Sequence, residues 1–261
     1  RRSQRVGGVV AGKGGCWGGS PGRTEATGDG RAYFAQCMLQ ERGKDLGGKT
    51  CLVSGAGNVA IYTIEKLQQL GARVITCSDS RGTIHHPSGI DLALLKQVKE
   101  VERKSLKTYA ERAPGARHIP LQDYPSDGHA VWRFAADAAF PSATQNEVTG
   151  ADVRAMLGNG VTCLAEGSNM GSTREAIEIL LQSGICYGPG KAANAGGVAV
   201  SQLEMAQNSA MCEWTFEDVD TRLRKIMARI HHQCAETAGK FGQPGNLVAG
   251  LAELACGLRA L

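Results

Sequence analysis

Residues 55–60 read Gly-Ala-Gly-Asn-Val-Ala, a G-x-G-x-x-A pattern placed directly after the apolar run 50–54. That run is short and is bounded on its N-side by Gly47-Gly48, as a buried strand would be. Past the glycines, Ala60, Ile64, Leu67 and Gly71 recur at helical spacings on one face. A strand, turn and helix of this form can hold a diphosphate. Gly55 permits the tight turn, Gly57 lets backbone approach the anion closely, and a small residue at Ala60 lets the helix sit near the strand. The unpaired N–H groups of the first helical turn, with the positive end of the helix dipole, then face the phosphates. An ordinary strand–helix turn can carry the same letters. The pattern gains weight from a second strand, Val74-Ile75-Thr76-Cys77, which completes a βαβ unit.

Asp79 ends that second strand, about 20 residues beyond the glycines, where a carboxylate accepts hydrogen bonds from ribose hydroxyls. Alone it points to NAD. Ser80 and Arg81 follow at once, and a hydroxyl beside a guanidinium is what a ribose 2′-phosphate recruits, which points to NADP. A solvated turn holding one acid and one base is the plain alternative.

These residues need a scaffold that sets strand ends in a row. Residues 1–30 are glycine-rich and lack apolar periodicity, which predicts loop running into a helix over 25–42. Residues 91–112 are expected to form one long charged helix with Leu94, Val98 and Val101 as its buried stripe, closed by Pro114-Gly115. Residues 135–140 read as a buried strand ended by Pro141, 149–158 as a helix and 161–166 as a strand. Ser172-Thr173-Arg174-Glu175 has capping-box form and opens a helix to Ser183. Ile185-Cys186-Tyr187 supplies the last strand. Beyond Gly190 the strand signal stops. Phe216, Val219, Leu223, Ile226 and Ile230 mark a long amphipathic helix started by Thr215, and a final apolar helix covers 247–261. The alternation predicts an α/β, Rossmann-like, doubly wound and mostly parallel sheet with helices on both faces and a helical C-terminal region.

Composition narrows the function classes. The 261 residues are 42% hydrophobic, enough for a sizeable core. Lys and Arg number 29 against 25 Asp and Glu, without a like-charge run suited to nucleic acid or an anionic membrane. Partners are expected to be small molecules or proteins. No apolar stretch approaches the ~20 residues that span a bilayer. The nine cysteines stand singly, with no C-x-x-C pair and no metal-ligand spacing to histidine. That pattern suits buried thiols in a reducing compartment, and disulfides are not expected. His231 and His232 read as partly exposed helix residues, and Trp17, Trp132 and Trp214 as packing residues. The numbering opens at Arg1 rather than at methionine, so an upstream segment with any targeting peptide is expected to lie ahead of it.

Seven ordered segments go beyond a general fingerprint. They are Gly18-Gly19-Ser20 with Arg23-Thr24-Glu25-Ala26-Thr27-Gly28; residues 54–60; Ser78-Asp79-Ser80; Ala143-Thr144-Gln145-Asn146-Glu147; Glu166-Gly167-Ser168-Asn169-Met170; the stretch 188–198, reading G-P-G-K-A-A-N-A-G-G-V; and Trp214-Thr215-Phe216-Glu217. In order and spacing the chain resembles the C-terminal coenzyme-binding domain of the small hexameric, NADP-type glutamate dehydrogenases, over nearly its whole length. The resemblance implies reversible oxidative deamination of L-glutamate to 2-oxoglutarate and ammonia, with hydride passing to NADP, or alternatively NAD. It implies that Asn58 and Val59 offer N–H groups to the pyrophosphate, alongside Gly55 and Gly57. Thr27 and Asn169 would hold the nicotinamide carboxamide, Ser80 would lie beside the 2′-phosphate, and Ala143, Thr144, Gln145 and Asn146 would line the nicotinamide ribose. Arg23 would stand near the cleft, with Val198 and Ser201 meeting the substrate side chain and its carboxylate. Locally, Thr27 could instead brace a helical turn, Asn169 an Asx turn, and Ser201 could bond back within its helix.

The resemblance also divides the chain. Residues 1–30 would be an interdomain segment, 31–200 the dinucleotide-binding domain, and 201–261 a helical region packing back on it. In the family, the catalytic lysines and aspartate lie in a preceding substrate domain. No catalytic residue is therefore expected within this chain, and the fragment alone is expected to bind dinucleotide weakly without turning over glutamate. A homo-oligomer, in the family a hexamer, and a cytoplasmic or alternatively mitochondrial setting are also implied. Departures from the family pattern stand at Asp29 (usually aromatic), Thr24 and Gly171 (proline), Ser168 (alanine) and Val200 (threonine). Asp29 is expected to add negative charge near the cofactor phosphates, and Val200 to remove a hydroxyl beside the substrate wall. Another amino acid dehydrogenase, or a non-catalytic dinucleotide-binding or assembly module, are the other classes these residues leave open.

Overall fold

The computed structural model describes residues 10–13 and 18–257. Cys16, Trp17 and the last residues of the expected final helix lie outside the described residues.

Among the described residues, eight strands form two sheets: β1 (Thr50–Val53), β2 (Arg73–Val74), β3 (Thr76–Asp79), β4 (Gly82–His85), β5 (Arg117–Pro120), β6 (Ala138–Phe140), β7 (Cys163–Ala165) and β8 (Cys186–Gly188). The larger sheet has the order β2-β1-β6-β7-β8, and every pairing in it is parallel. Among the described residues, ten α-helices accompany the sheets: α1 (Ala26–Gln40), α2 (Asn58–Gln69), α3 (Leu92–Lys96), α4 (Leu106–Arg112), α5 (Gly150–Gly158), α6 (Arg174–Ser183), α7 (Gly190–Ala193), α8 (Gly196–Ala210), α9 (Phe216–Lys240) and α10 (Leu247–Gly257). The expected α/β architecture is present, with its helical C-terminal region.

The period-two alternation of the strands splits the core. Cys51, Val53, Ala138, Phe140, Cys163 and Ala165 point to one face, where α1, α2 and α9 bury Phe34, Ile64 and Met227 against them. Leu52, Ala139, Leu164 and Tyr187 point to the other, against Val153, Met156 and Leu180 of α5 and α6. Both faces are thus covered, which is why the strands read as continuous apolar runs. The chain leaves β1 toward β2 on one side while β6 lies on the other. The connections diverge there, and a crevice opens at the carboxyl ends of β1 and β6.

Three local expectations fail. The second strand is bent: Arg73-Val74 pairs with β1, but Thr76–Asp79 joins an antiparallel sheet, β3-β4-β5, that the sequence reading did not foresee. The 91–112 helix is two helices. α3 passes through a π turn over Gln97–Val101, Arg103 takes φ 53°, and α4 restarts at Leu106. Lys99 Nζ and Leu106 N–H both donate to Asp79 Oδ2, each at 3.0 Å, and this tertiary anchor folds the chain back. Val101, expected to be buried, is 69% exposed, and Leu95 takes its place in the core. The third failure is on α9, where His231 is buried edge-on against Phe34 at 5.4 Å, while His232 is exposed. The buried stripe of α9 runs Val219, Leu223, Met227, His231, Cys234, Ala238, leaving Phe216 largely outside.

The caps are legible. Thr215 accepts from Asp218 N–H while the Asp218 carboxylate accepts from Thr215 N–H, a reciprocal box at the start of α9. On α6 the cap is Thr173, accepting from Ala176 N–H, one residue later than the predicted Ser172.

Candidate functional site

Gly55 has φ 80°, and a Cβ there would stand 2.9 Å from Ser142 O, so both the turn and the close approach of β6 require glycine. Gly57 differs. Its φ of −92° is open to any residue, and a Cβ would meet nothing within 4 Å. Gly57 is the N-cap of α2 without a side-chain cap, and the first intrahelical bond is Ile61 N–H to Gly57 O. The N–H groups of Asn58, Val59 and Ala60 therefore end the helix uncapped. Ser78 pins the turn from the next strand: its Oγ accepts from Gly55 N–H at 2.9 Å, and its N–H donates to Gly55 O at 3.2 Å.

The turn forms the middle of a cavity of about 580 Å³. Gly55 and Gly57, then Asp79 and Ser80, then Ala143 and Thr144 line it together. Asp79 is not free for ribose hydroxyls. One of its oxygens accepts from Arg81 N–H and the other from Lys99 Nζ and Leu106 N–H. Burial works against its charge, but these hydrogen bonds prevail and hold the carboxyl below its usual range. Lys99, rather than the exposed Arg81, brings positive charge to the cavity wall beside Ser80. On the far side, Asp152, the N-cap partner of α5, accepts from His129 Nδ1 at 3.0 Å and raises that imidazole's pKa. His129 lines the same cavity.

A buried polar frame holds the loop after β6. Arg31, fully buried in α1, donates to Pro141 O at 2.6 Å, to Ser142 Oγ at 2.7 Å and to Thr63 Oγ1 of α2. Burial pulls its pKa down to about 9, with Glu147 opposing. Ser54 Oγ donates to Glu147 Oε2 and accepts from Ser142 N–H, and Glu147 Oε1 accepts from Ala143 N–H at 2.8 Å. Burial raises the Glu147 carboxyl above its usual range. Nothing in these residues' spacing announced this frame.

A second concavity of about 470 Å³ gathers Arg23, Thr27, Asn169, Val198 and Ser201 with Lys191, Asn194 and Gly197. Arg23 Nε donates to Ser201 Oγ at 2.7 Å, and Ser201 also bonds back to Gly197 O at 3.0 Å. Asn194 Nδ2 donates to Asn169 Oδ1 at 2.9 Å. A Cβ on Gly197 would collide with Thr27 Oγ1, so the paired glycines that open α8 are what let it reach Thr27. Asn58 Nδ2 donates to Thr24 O at 2.8 Å, tying the start of α2 to the turn that carries Arg23.

Of the expected residues, Asn58, Val59, Gln145 and Asn146 line neither hollow. Gln145 and Asn146 are exposed on the loop after β6, where Asn146 takes φ 54° and donates its N–H to Met170 O. Two expected departures fall elsewhere than supposed. Asp29 is buried between helices with Lys66 Nζ at 3.2 Å, away from the turn. Val200 is fully buried in the core and is no part of the second wall. Among the described residues, no group of His, Cys, Asp and Glu could hold a metal ion, and no helix is long and apolar enough to cross a membrane.

Known proteins resemble this chain in sequence and in fold. The chain is 54% identical over 246 residues to the NADP-specific glutamate dehydrogenase of Helicobacter pylori, covering 94% of this chain and 55% of that protein. With the NAD(P)-specific glutamate dehydrogenase of Xylanibacter ruminicola it shares 48% identity over 232 residues, 88% of this chain and 50% of that one. The solved structure of Plasmodium falciparum glutamate dehydrogenase 2 superposes with a TM-score of 0.86 at 42% identity, covering 92% of this chain and 52% of the other. The chain spans about half the length of the curated relatives it matches. The Glutamate/Leucine/Phenylalanine/Valine dehydrogenase family matches residues 18–258, which takes in the turn, both hollows and all the elements that shape them, and the chain belongs to that family.

Proposed function

We propose that this chain is the coenzyme-binding half of an NADP-dependent glutamate dehydrogenase, which interconverts L-glutamate with 2-oxoglutarate and ammonia. The observation that carries the reading is Gly57: neither its φ nor its neighbours demand glycine, so the space above the uncapped N-terminus of α2 is kept clear for something outside the chain. A diphosphate fits that space and its N–H donors. When bound, the coenzyme supplies a nicotinamide ring that takes up or returns a hydride. Asn58 and Val59 would give N–H groups to the diphosphate, and Ser80 with Lys99 would meet the 2′-phosphate, Lys99 already offsetting Asp79. Ala143, Thr144, Gln145 and Asn146 would border the nicotinamide ribose. Thr27 and Asn169 would orient the carboxamide, with Asn194 fixing which way Asn169 points. Arg23, hydrogen-bonded to Ser201 beside Val198, would present a cationic and polar wall to the substrate. That wall suits an acidic side chain better than the apolar one of leucine or valine.

Hydride transfer needs both partners held close and shielded from water. Here Asn169, Lys191 and Val198 are exposed on the rim, Val198 at 61%, so the second hollow lacks a cover within the described residues. The cover, and the groups that move protons on the amine, would belong to the part of the relatives' length that lies outside the span matched here. Met211 and Phe241, 92% and 58% exposed, would be buried in a homo-oligomer of the full-length protein, and the thiols facing α1 suit a reducing compartment such as the cytoplasm. Fluorescence titration with both reduced coenzymes tests the proposal. NADPH is expected to bind several-fold more tightly than NADH, with no glutamate-dependent reduction of NADP by the purified 261-residue chain. Tighter NADH binding would remove the coenzyme assignment, binding of neither would remove the function, and turnover would show that no second domain is needed.

A further inference from the structure

One row across the parallel sheet runs Cys51, Ala138, Cys163, Cys186, each in register with the next. Residues in one row point to the same face, here the one under α1. Cys163 and Cys186 are immediate neighbours on β7 and β8. Adjacent strands lie ~4.8 Å apart. That falls inside the roughly 4.4–6.8 Å between Cα atoms that a disulfide bridges.

Both thiols are buried, Cys163 fully and Cys186 at 5% exposure, but Cys186, on edge strand β8, forms part of the wall of an opening of about 230 Å³ with Met38, Glu41, Arg42 and Leu247. As a thiol, Cys186 donates to Met38 O at 3.6 Å. Arg42, fixed by donating to Gly184 O at 2.8 Å just ahead of β8, sets a cation in the same wall. We propose that Cys186 is a hydroperoxide-reactive thiol and Cys163 its resolving partner, making the β7–β8 edge a dithiol–disulfide site. The neighbouring Cys163 thiol pulls the Cys186 thiol down against burial, with Arg42 helping, and the Cys186 sulfur together with burial holds Cys163 up. One thiol is thus the nucleophile and the other waits.

In the first step the Cys186 thiolate attacks one peroxide oxygen and the O–O bond breaks. The departing oxygen takes up the thiol's proton as water or an alcohol, leaving a sulfenic acid. In the second, Cys163 sulfur attacks Cys186 sulfur. The S–S bond forms, the S–O bond breaks, and the hydroxyl leaves as water with the Cys163 proton. Two thiols are oxidised by two electrons and one hydroperoxide is reduced. β7 leads into the loop carrying Asn169 and β8 into α7, which carries Lys191, so the bond would cross-link the strands beneath the second hollow.

The test is peptide mass spectrometry of the native full chain after hydrogen peroxide, with free thiols alkylated before denaturation. A linked peptide joining Cys163 to Cys186 is expected, reversed by dithiothreitol, and dimedone should trap a sulfenic acid on Cys186 in Cys163→Ser. The proposal is overturned if Cys186 stays a free thiol at a peroxide dose that oxidises the exposed Cys212 and Cys256. Should Cys163→Ser fail to fold, the linked peptide in the unmodified chain decides alone.

Discussion

Lys99 determines how the Asp79 carboxylate counts. An uncompensated carboxylate at the end of β3 would repel a 2′-phosphate; the ammonium at 3.0 Å cancels that charge and stands in the same cavity wall. Lys99→Gln should therefore weaken NADPH binding about tenfold or more, on the order of 1.4 kcal/mol, and leave NADH nearly unchanged. Paired titrations check this, and equal losses for the two coenzymes would refute it. Asp79 and Ser80 were legible in the sequence because they stand at a fixed offset from a glycine pattern on the next strand. Lys99 was not. It lies 20 residues on, in a segment whose helical period continues past the point where the chain turns back. Arg31 and Glu147 escaped for a related reason: their partners Pro141, Ser142 and Ser54 become neighbours only when β1 and β6 are side by side.

Helices α1 and α8 bring Thr27 and Ser201 into one hollow, beside Arg23 on the turn ahead of α1, and they do so by crossing at glycines. A Cβ on Gly30 would stand 2.8 Å from Gly196 Cα, one on Gly28 would stand 2.6 Å from the Thr63 nitrogen of α2, and one on Gly196 would collide with Ala26 O. Gly196→Ala must push the helices apart, an overpacking cost of about 1–3 kcal/mol. It should also weaken coenzyme binding by displacing Thr27. Urea unfolding and NADPH titration on one preparation check both, and unchanged values would show the crossing to be slack. The same glycines read in sequence only as part of a family segment, since close helix contact has no periodic signature. Elements whose burial repeats at two or 3.6 residues were legible, including β1, β6, β7, α2 and α9. β4 and β5 were not: Thr83-Ile84-His85 and His118-Ile119 alternate over too few residues to distinguish strand from loop, and they are stabilised by pairing across a long separation.

Across the whole molecule, three helices are tied by one buried ionic cluster. Lys66 of α2 bonds Asp29 of α1 at 3.2 Å, and Asp220 of α9 and Tyr33 of α1 at 3.1 Å each. One cation between two carboxylates leaves room for a proton, and burial pushes Asp29 up to about 7 although Lys66 opposes it. The folded chain then binds a proton that the unfolded chain has released. Stability should fall as pH rises from the ordinary carboxylate range of about 4 to about 7. Asp29→Asn should flatten that slope, by up to a few kcal/mol; superimposable profiles of unfolding free energy between pH 5 and 8 would contradict the assignment. The coenzyme reading itself rests on what keeps residue 57 bare. Calorimetric titration of NADPH into the native chain and into Gly57→Ala, with thermal unfolding of both, addresses it. An added methyl meets no protein atom within 4 Å, so the unfolding midpoint should move by no more than a few degrees, as a poorer N-cap does. Affinity should drop about tenfold or more, ~1.4 kcal/mol. Undiminished binding by Gly57→Ala would mean that no diphosphate rests on the start of α2.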